Sequence, residues 1–194
     1  AACAEQMLLA AALEAMAKCA VLLGEADLGY REKAAALRQK TMERFWDEEK
    51  GAYIDSFASG KRFVTRHTNL FALRYGFAPG ERRERIIQNV LKNPEVAPIT
   101  TPYFKFYEME AWCEMGELDF VREEILFYWG GMLDLGATSV WETFDPTESG
   151  MEHLAMYGDR YGKSLCHAWG ASPIYLLGKY FLGVRPTDTG WSDF

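Results

Sequence analysis

The chain has 194 residues and 49% of them are hydrophobic, enough for a domain with its own core, which excludes an intrinsically disordered protein. A formal net charge of −7 and a pI near 5.1 leave no basic surface to neutralise a phosphate backbone. Nucleic acid and anionic membranes are therefore excluded as partners, and a neutral ligand is favoured.

In chain order, residues 5–23 are Ala, Leu and Met almost all the way round, which predicts a helix covered on every side by other helices and stopped by Gly24. Glu5, Glu14 and Lys18 within this run, with no basic stretch before it, argue against a signal peptide or a membrane span. Residues 29–46 are amphipathic, with Ala34, Leu37, Thr41 and Phe45 on one face. The couplet then recurs. An apolar helix over 68–75 stops at Gly76 and a charged one follows over 79–91, with Pro79 at its first position. An apolar, aromatic helix over 103–115 stops at Gly116 and is followed by an amphipathic one over 118–129. A last inner-type helix is predicted over 164–182, ending at Gly183.

Pairs of one buried and one half-exposed helix at irregular spacing predict an all-α chain: about seven helices forming part of an α/α toroid built from inner–outer hairpins. No linker or low-complexity stretch divides residues 1–194, so they are expected to act as a single unit that begins midway through a larger domain. Inner-to-outer turns are short, whereas residues 47–65, 93–101 and 131–163 make long connections, which places the long loops on one face as the expected binding mouth. Within the first of these, the alternation over 51–57 predicts a short strand, and Tyr53 and Asp55 are candidates to border a cleft.

Cys3, Cys19, Cys113 and Cys166 stand singly in apolar stretches, without a CxxC pair or a His at ligand spacing. Four buried free thiols are expected, with no zinc site or disulfide framework. No phosphate loop or nucleophile motif stands out, so neither a metal nor a cofactor is expected.

The third long connection concentrates the chemistry: Glu142, Asp145, Asp159, Trp141, Tyr157 and His167. Glycosidic cleavage needs two carboxyl groups flanking the bond, and a Glu beside a Trp suits one of these roles because an apolar neighbour limits its solvation. From the residues alone, the plainer reading of Glu142 is an exposed loop carboxylate, and that of His167 a structural residue near a helix start. Trp141, Phe144 and Tyr157 offer a stacking platform for a sugar or ordinary core packing. His153 reads as a solvated loop residue, and Phe104 as a residue near a helix start that reaches the mouth.

Thr138-Ser139-Val140-Trp141-Glu142, followed by Ser164-Leu165-Cys166-His167, resembles the α-L-rhamnosidases of glycoside hydrolase family 78, with helical segments in matching order over nearly the whole chain. The run from Thr101 to Ala111 is similar to the family's inner helix before that loop, and Phe45-Trp46-Asp47-Glu48-Glu49-Lys50-Gly51 to a turn of toroidal glycosidases. The resemblance implies the C-terminal part of an (α/α)6 catalytic barrel and inverting hydrolysis of terminal α-L-rhamnosides by a bacterial enzyme. Glu142 would be the general base, and His167 and Trp141 would contact the sugar. It also implies a rhamnoside substrate and, as partner, the remainder of the catalytic domain or a second copy. Cys166 stands where many members carry Asn, and the family's acidic, Trp-containing segment with its general acid has no match in residues 1–194. Those residues alone are accordingly expected to turn over no rhamnoside. The compartment stays open between cytoplasm and periplasm or exterior, any export signal being expected upstream. Two other readings remain: a noncatalytic carbohydrate-binding or structural helical module, and another α/α-toroid enzyme such as a different exo-glycosidase or a polysaccharide lyase.

Overall fold

A computed structural model of the protein describes residues 2–58, 60–188 and 190–193. They fall into two compact units, Ala1–Pro98 and Ile99–Phe194. Seven helices and two short strands account for most of the regular structure among the described residues.

In the first unit, α1 (Cys3–Leu23) and α2 (Tyr30–Arg44) form a hairpin. The stop at Gly24 is where the sequence puts it: a φ of 69° turns its N–H back onto the carbonyls of Ala20 and Val21. The burial of α1 differs from expectation. Only Cys3, Met7, Ala10, Ala17 and Ala20 are buried, because α2 and the next helix cover one face, while Leu8, Leu9, Met16 and Val21 are exposed. By length and composition α1 could cross a membrane. It is nonetheless tied into a helical unit through Glu14, whose carboxylate accepts Nε and Nη2 of Arg38 on α2 at 3.1 and 2.7 Å.

Strands β1 (Trp46–Asp47) and β2 (Ala52–Tyr53) pair antiparallel, Trp46 opposite Tyr53. Gly51 closes the turn because its φ of 60° is a left-handed conformation that side chains rarely adopt. Tyr53 and Asp55 are structural rather than cleft residues. The buried Tyr53 has both backbone groups bonded by the Asn69 side chain, at 2.9 and 3.0 Å, and the Tyr53 hydroxyl donates to Phe77 O at 2.5 Å. Asp55 accepts the hydroxyls of Thr65 and Thr68 at the start of α3 (Arg66–Arg74). Helix α4 starts at Glu81 instead of Pro79, since Gly80 at φ 57° breaks the approach, and it passes from Glu81–Ile86 into a π-helical turn over Ile87–Leu91.

In the second unit, α5 (Pro102–Glu114) carries Pro102 in its first turn. Three buried charges on it are compensated: Lys105 Nζ lies 3.0 Å from Glu108 and 2.9 Å from Glu124, and Glu110 accepts Lys179 Nζ at 3.0 Å. Helix α6 runs further than expected, from Leu118–Glu124 through a π-helical turn over Ile125–Trp129 to Gly130–Asp134. Gly130-Gly131 is therefore not a loop start. The ring of Phe144 packs 3.0 Å from where a Cβ on Gly131 would stand, so that glycine serves close approach. The last helix, α7, begins only at Pro173 (Pro173–Leu176, then a π-helical turn over Leu177–Phe181). Proline lacks the N–H a helix interior requires and sits here in the first turn. The nine residues before it, predicted helical, form no α-helix, only the 3-10 turn Ala168–Gly170.

Candidate active site

Two non-helical runs lie side by side between α6 and α7. Glu142 N donates to Ser164 O at 2.9 Å and His167 N to Val140 O at 2.8 Å, so the two motifs separated in sequence become one ladder. Phe144 N continues the first run by donating to Thr100 O at 2.9 Å, an oxygen that also accepts the Tyr128 hydroxyl at 2.7 Å.

Glu142 is half-buried on this ladder. Ser164 N donates to its Oε2 at 3.2 Å and the Tyr157 hydroxyl to its Oε1 at 3.4 Å. Each oxygen thus has one donor and keeps lone pairs for a water molecule, which is what a proton acceptor in hydrolysis needs.

Trp141, expected to meet a sugar, is 5% exposed and turns into the core, with its ring centroid 6.3 Å from those of both Phe144 and His153. The physical reason is the apolar cluster behind the run: the rings of Phe144 and His153 receive the indole, while Glu142 beside it stays half-buried. Trp141 and His153 line a cavity of about 300 Å³ with Thr138, Leu154 and Leu165. His153 is not solvated. It is buried, stacks on Phe144 at 5.6 Å, and has Nδ1 3.8 Å from Glu148 Oε2, which also faces the buried Lys163 Nζ at 3.6 Å. The long connection folds over a small core of its own.

An aromatic surface that the sequence did not single out stands beside His167. Trp169 is 48% exposed, stacks on Tyr103 (5.2 Å, 27°), and lies 4.2 Å from the His167 ring. Phe104 packs half-buried between Tyr103 and Tyr107. The legible signal was the spacing His167-Ala168-Trp169, which puts His167 at the cap of the 3-10 turn and Trp169 within it.

The other loop carboxylates do not join Glu142. Asp145 accepts Thr147 N and Oγ1 at 2.9 and 2.7 Å, and these donors hold it below the usual carboxylate range, the wrong direction for an acid that must keep its proton. Asp159 accepts Tyr161 N at 2.9 Å within its own turn. All four cysteines are free, but only Cys3 and Cys113 are buried; burial pushes the Cys113 thiol up to about 11, whereas Cys19 and Cys166 are exposed. Among the described residues no group of three or more His, Cys, Asp or Glu is placed to hold a metal ion.

Comparison with known proteins gives the family of the fold. The family described as the bacterial alpha-L-rhamnosidase 6 hairpin glycosidase domain matches residues 2–181. A solved rhamnosidase from Klebsiella oxytoca with rhamnose bound is 26% identical, with a TM-score of 0.75 over 94% of this chain and 34% of that one. A GH78 family rhamnosidase of Bacillus sp. GL1 is 31% identical, with a TM-score of 0.69 over 85% of this chain and 17% of that one. The chain thus spans about a third and about a sixth of these two solved proteins. No curated protein matches it. The chain belongs to the bacterial α-L-rhamnosidase six-hairpin glycosidase domain family.

Proposed function

We propose that this chain carries the water-activating side of an inverting α-L-rhamnosidase site, with Glu142 as general base. The observation that carries the reading is the grip of two donors, Ser164 N and the Tyr157 hydroxyl, on a half-buried carboxylate. Family membership and the rhamnose bound by the Klebsiella oxytoca relative support the substrate class. A water held by Glu142 attacks the anomeric carbon opposite the leaving oxygen; its proton passes to Glu142, and the leaving oxygen takes a proton from an acid. Asp145, held low by Thr147, and Asp159, turned into its own loop, are poor acids. With the family's acidic, Trp-containing segment unmatched in residues 1–194, this reading puts the acid outside them, about 6.5–9.5 Å from Glu142, the separation that leaves room for the water.

His167 contacts a sugar hydroxyl, and the exposed ring of Trp169 receives a C–H face of the sugar in place of the buried Trp141. The exposed side of α1, with Leu8, Leu9 and Met16, is where the rest of a six-hairpin domain or a second copy packs. The same Tyr103–Trp169 stack favours a second reading, a module that holds a sugar without cleaving it. Following the hydrolysis of an aryl α-L-rhamnoside by NMR in the intact protein decides between them. β-L-Rhamnose as first product is expected; an α-configured product makes the enzyme retaining, and affinity without turnover selects the second reading.

A further inference from the structure

Tyr157 occupies a conformation that its own packing does not explain. Met156 and Asp159 exchange both backbone hydrogen bonds at 2.9 Å, closing a two-residue reversal whose central residues have φ of 54° at Tyr157 and 81° at Gly158. Such a primed turn favours Asn-Gly, and a bulky residue in its first central place is strained. The side chain is 84% exposed, so burial does not offset that strain. Its hydroxyl donates to Glu142 Oε1.

The second donor to Glu142 belongs to the same hairpin. Lys163 N donates to Leu154 O at 3.1 Å, tying the stem just before Ser164, and the buried Lys163 ammonium faces Glu148. Gly162 lets the stem close, because a Cβ there would stand 2.3 Å from Met156 O. One hairpin therefore brings both donors to one carboxylate, from its tip and from its foot.

We propose that this hairpin is a two-point clamp on Glu142, and that Tyr157 is a positioning residue held in a strained turn so that its hydroxyl fixes which lone pair of the carboxylate meets the water. The proposal rests on Glu142 being the base. Strain retained at an exposed residue is characteristic of functional sites, where it serves preorganisation. The 3.4 Å contact is long for a hydroxyl donor and shortens once substrate fills the site.

Tyr157→Phe removes the hydroxyl and keeps the ring; Tyr157→Asn removes both and suits the turn. In the intact protein Tyr157→Phe lowers kcat about tenfold with KM within twofold and an unchanged melting temperature, as for the loss of one hydrogen bond to a charged group. Tyr157→Asn loses kcat similarly while its melting temperature rises. Both kcat losses disappear in a Glu142→Ala background where azide replaces the water, since a residue acting through Glu142 has nothing left to position. Normal kcat in Tyr157→Phe beside a crippled Glu142→Gln overturns the clamp and leaves the base reading standing, whereas normal kcat in both removes the base as well. A tenfold loss that persists in the azide-rescued background also overturns the clamp, because Tyr157 then acts on the substrate directly.

Discussion

Gly170 and Val140 approach so closely that no side chain fits between them: a Cβ on Gly170 would stand 2.4 Å from Val140 Cγ1 and 2.9 Å from Pro102 Cγ. Space, and not a left-handed backbone, demands glycine here. The same residue is fixed by the Trp129 indole N–H, which donates to Gly170 O at 2.8 Å, so the turn carrying His167 and Trp169 is pressed onto the ladder that carries Glu142. Gly170→Ala should cost about 1–3 kcal/mol by overpacking and weaken sugar binding, because the turn must move away from Val140. Denaturant unfolding and rhamnose titration of the variant read both effects; unchanged stability would show that this contact does not set the position of the turn.

Two tryptophans in this region should behave oppositely. Trp141 is 5% exposed, and Trp141→Ala should cost about 3–5 kcal/mol of stability. Trp169 is 48% exposed, and Trp169→Ala should leave the melting temperature nearly unchanged while raising KM about tenfold. The reverse pattern would return the sugar contact to Trp141.

His167→Ala, in the ring contact next to Trp169, should weaken substrate binding by about 1–3 kcal/mol with the fold intact. A collapse of thermal stability with normal kinetics in the surviving folded fraction would make His167 a packing residue.

The helical frame was legible because glycine punctuation is local: Gly24, Gly76 and Gly116 all have positive φ and follow helices at the places the sequence marks. The neighbourhood of Glu142 and His167 was legible only as two motifs, and the ladder between Val140 and His167 is what joins them. Which way Trp141 faces was not readable, since it depends on the rings of Phe144 and His153 that the fold brings behind it. His153 was unreadable for a related reason: its burial comes from the rings of Phe144 and Trp141, which the fold of the loop brings against it. At α7 the signal was present in Pro173 and was outweighed by the apolar run around it.

Asp145 gives a pH-dependent test of the loop's own structure. Its carboxyl is held below the usual range by the two Thr147 donors, so its contribution is complete above the unfolded value near ~3.9 and is lost as pH falls through the lower folded value. Asp145→Ala should be less stable than the parent at neutral pH by at most about 1 kcal/mol, the group being partly exposed, and the difference should close on acidification below pH ~4. A stability gap that stays constant down to pH ~2 would mean that the Thr147 contacts are not what lowers the carboxyl.

The central claim rests on Glu142, held by Ser164 and Tyr157 with room for a water. Glu142→Gln keeps nearly the same volume and the same oxygen for Ser164 N, so the fold should survive while the proton acceptor is lost. The most direct measurement is kcat of this variant in the intact protein on an α-L-rhamnoside. A fall of about 10²- to 10⁴-fold, with KM much less affected, is the predicted result; kcat close to that of the parent would remove Glu142 from the chemistry.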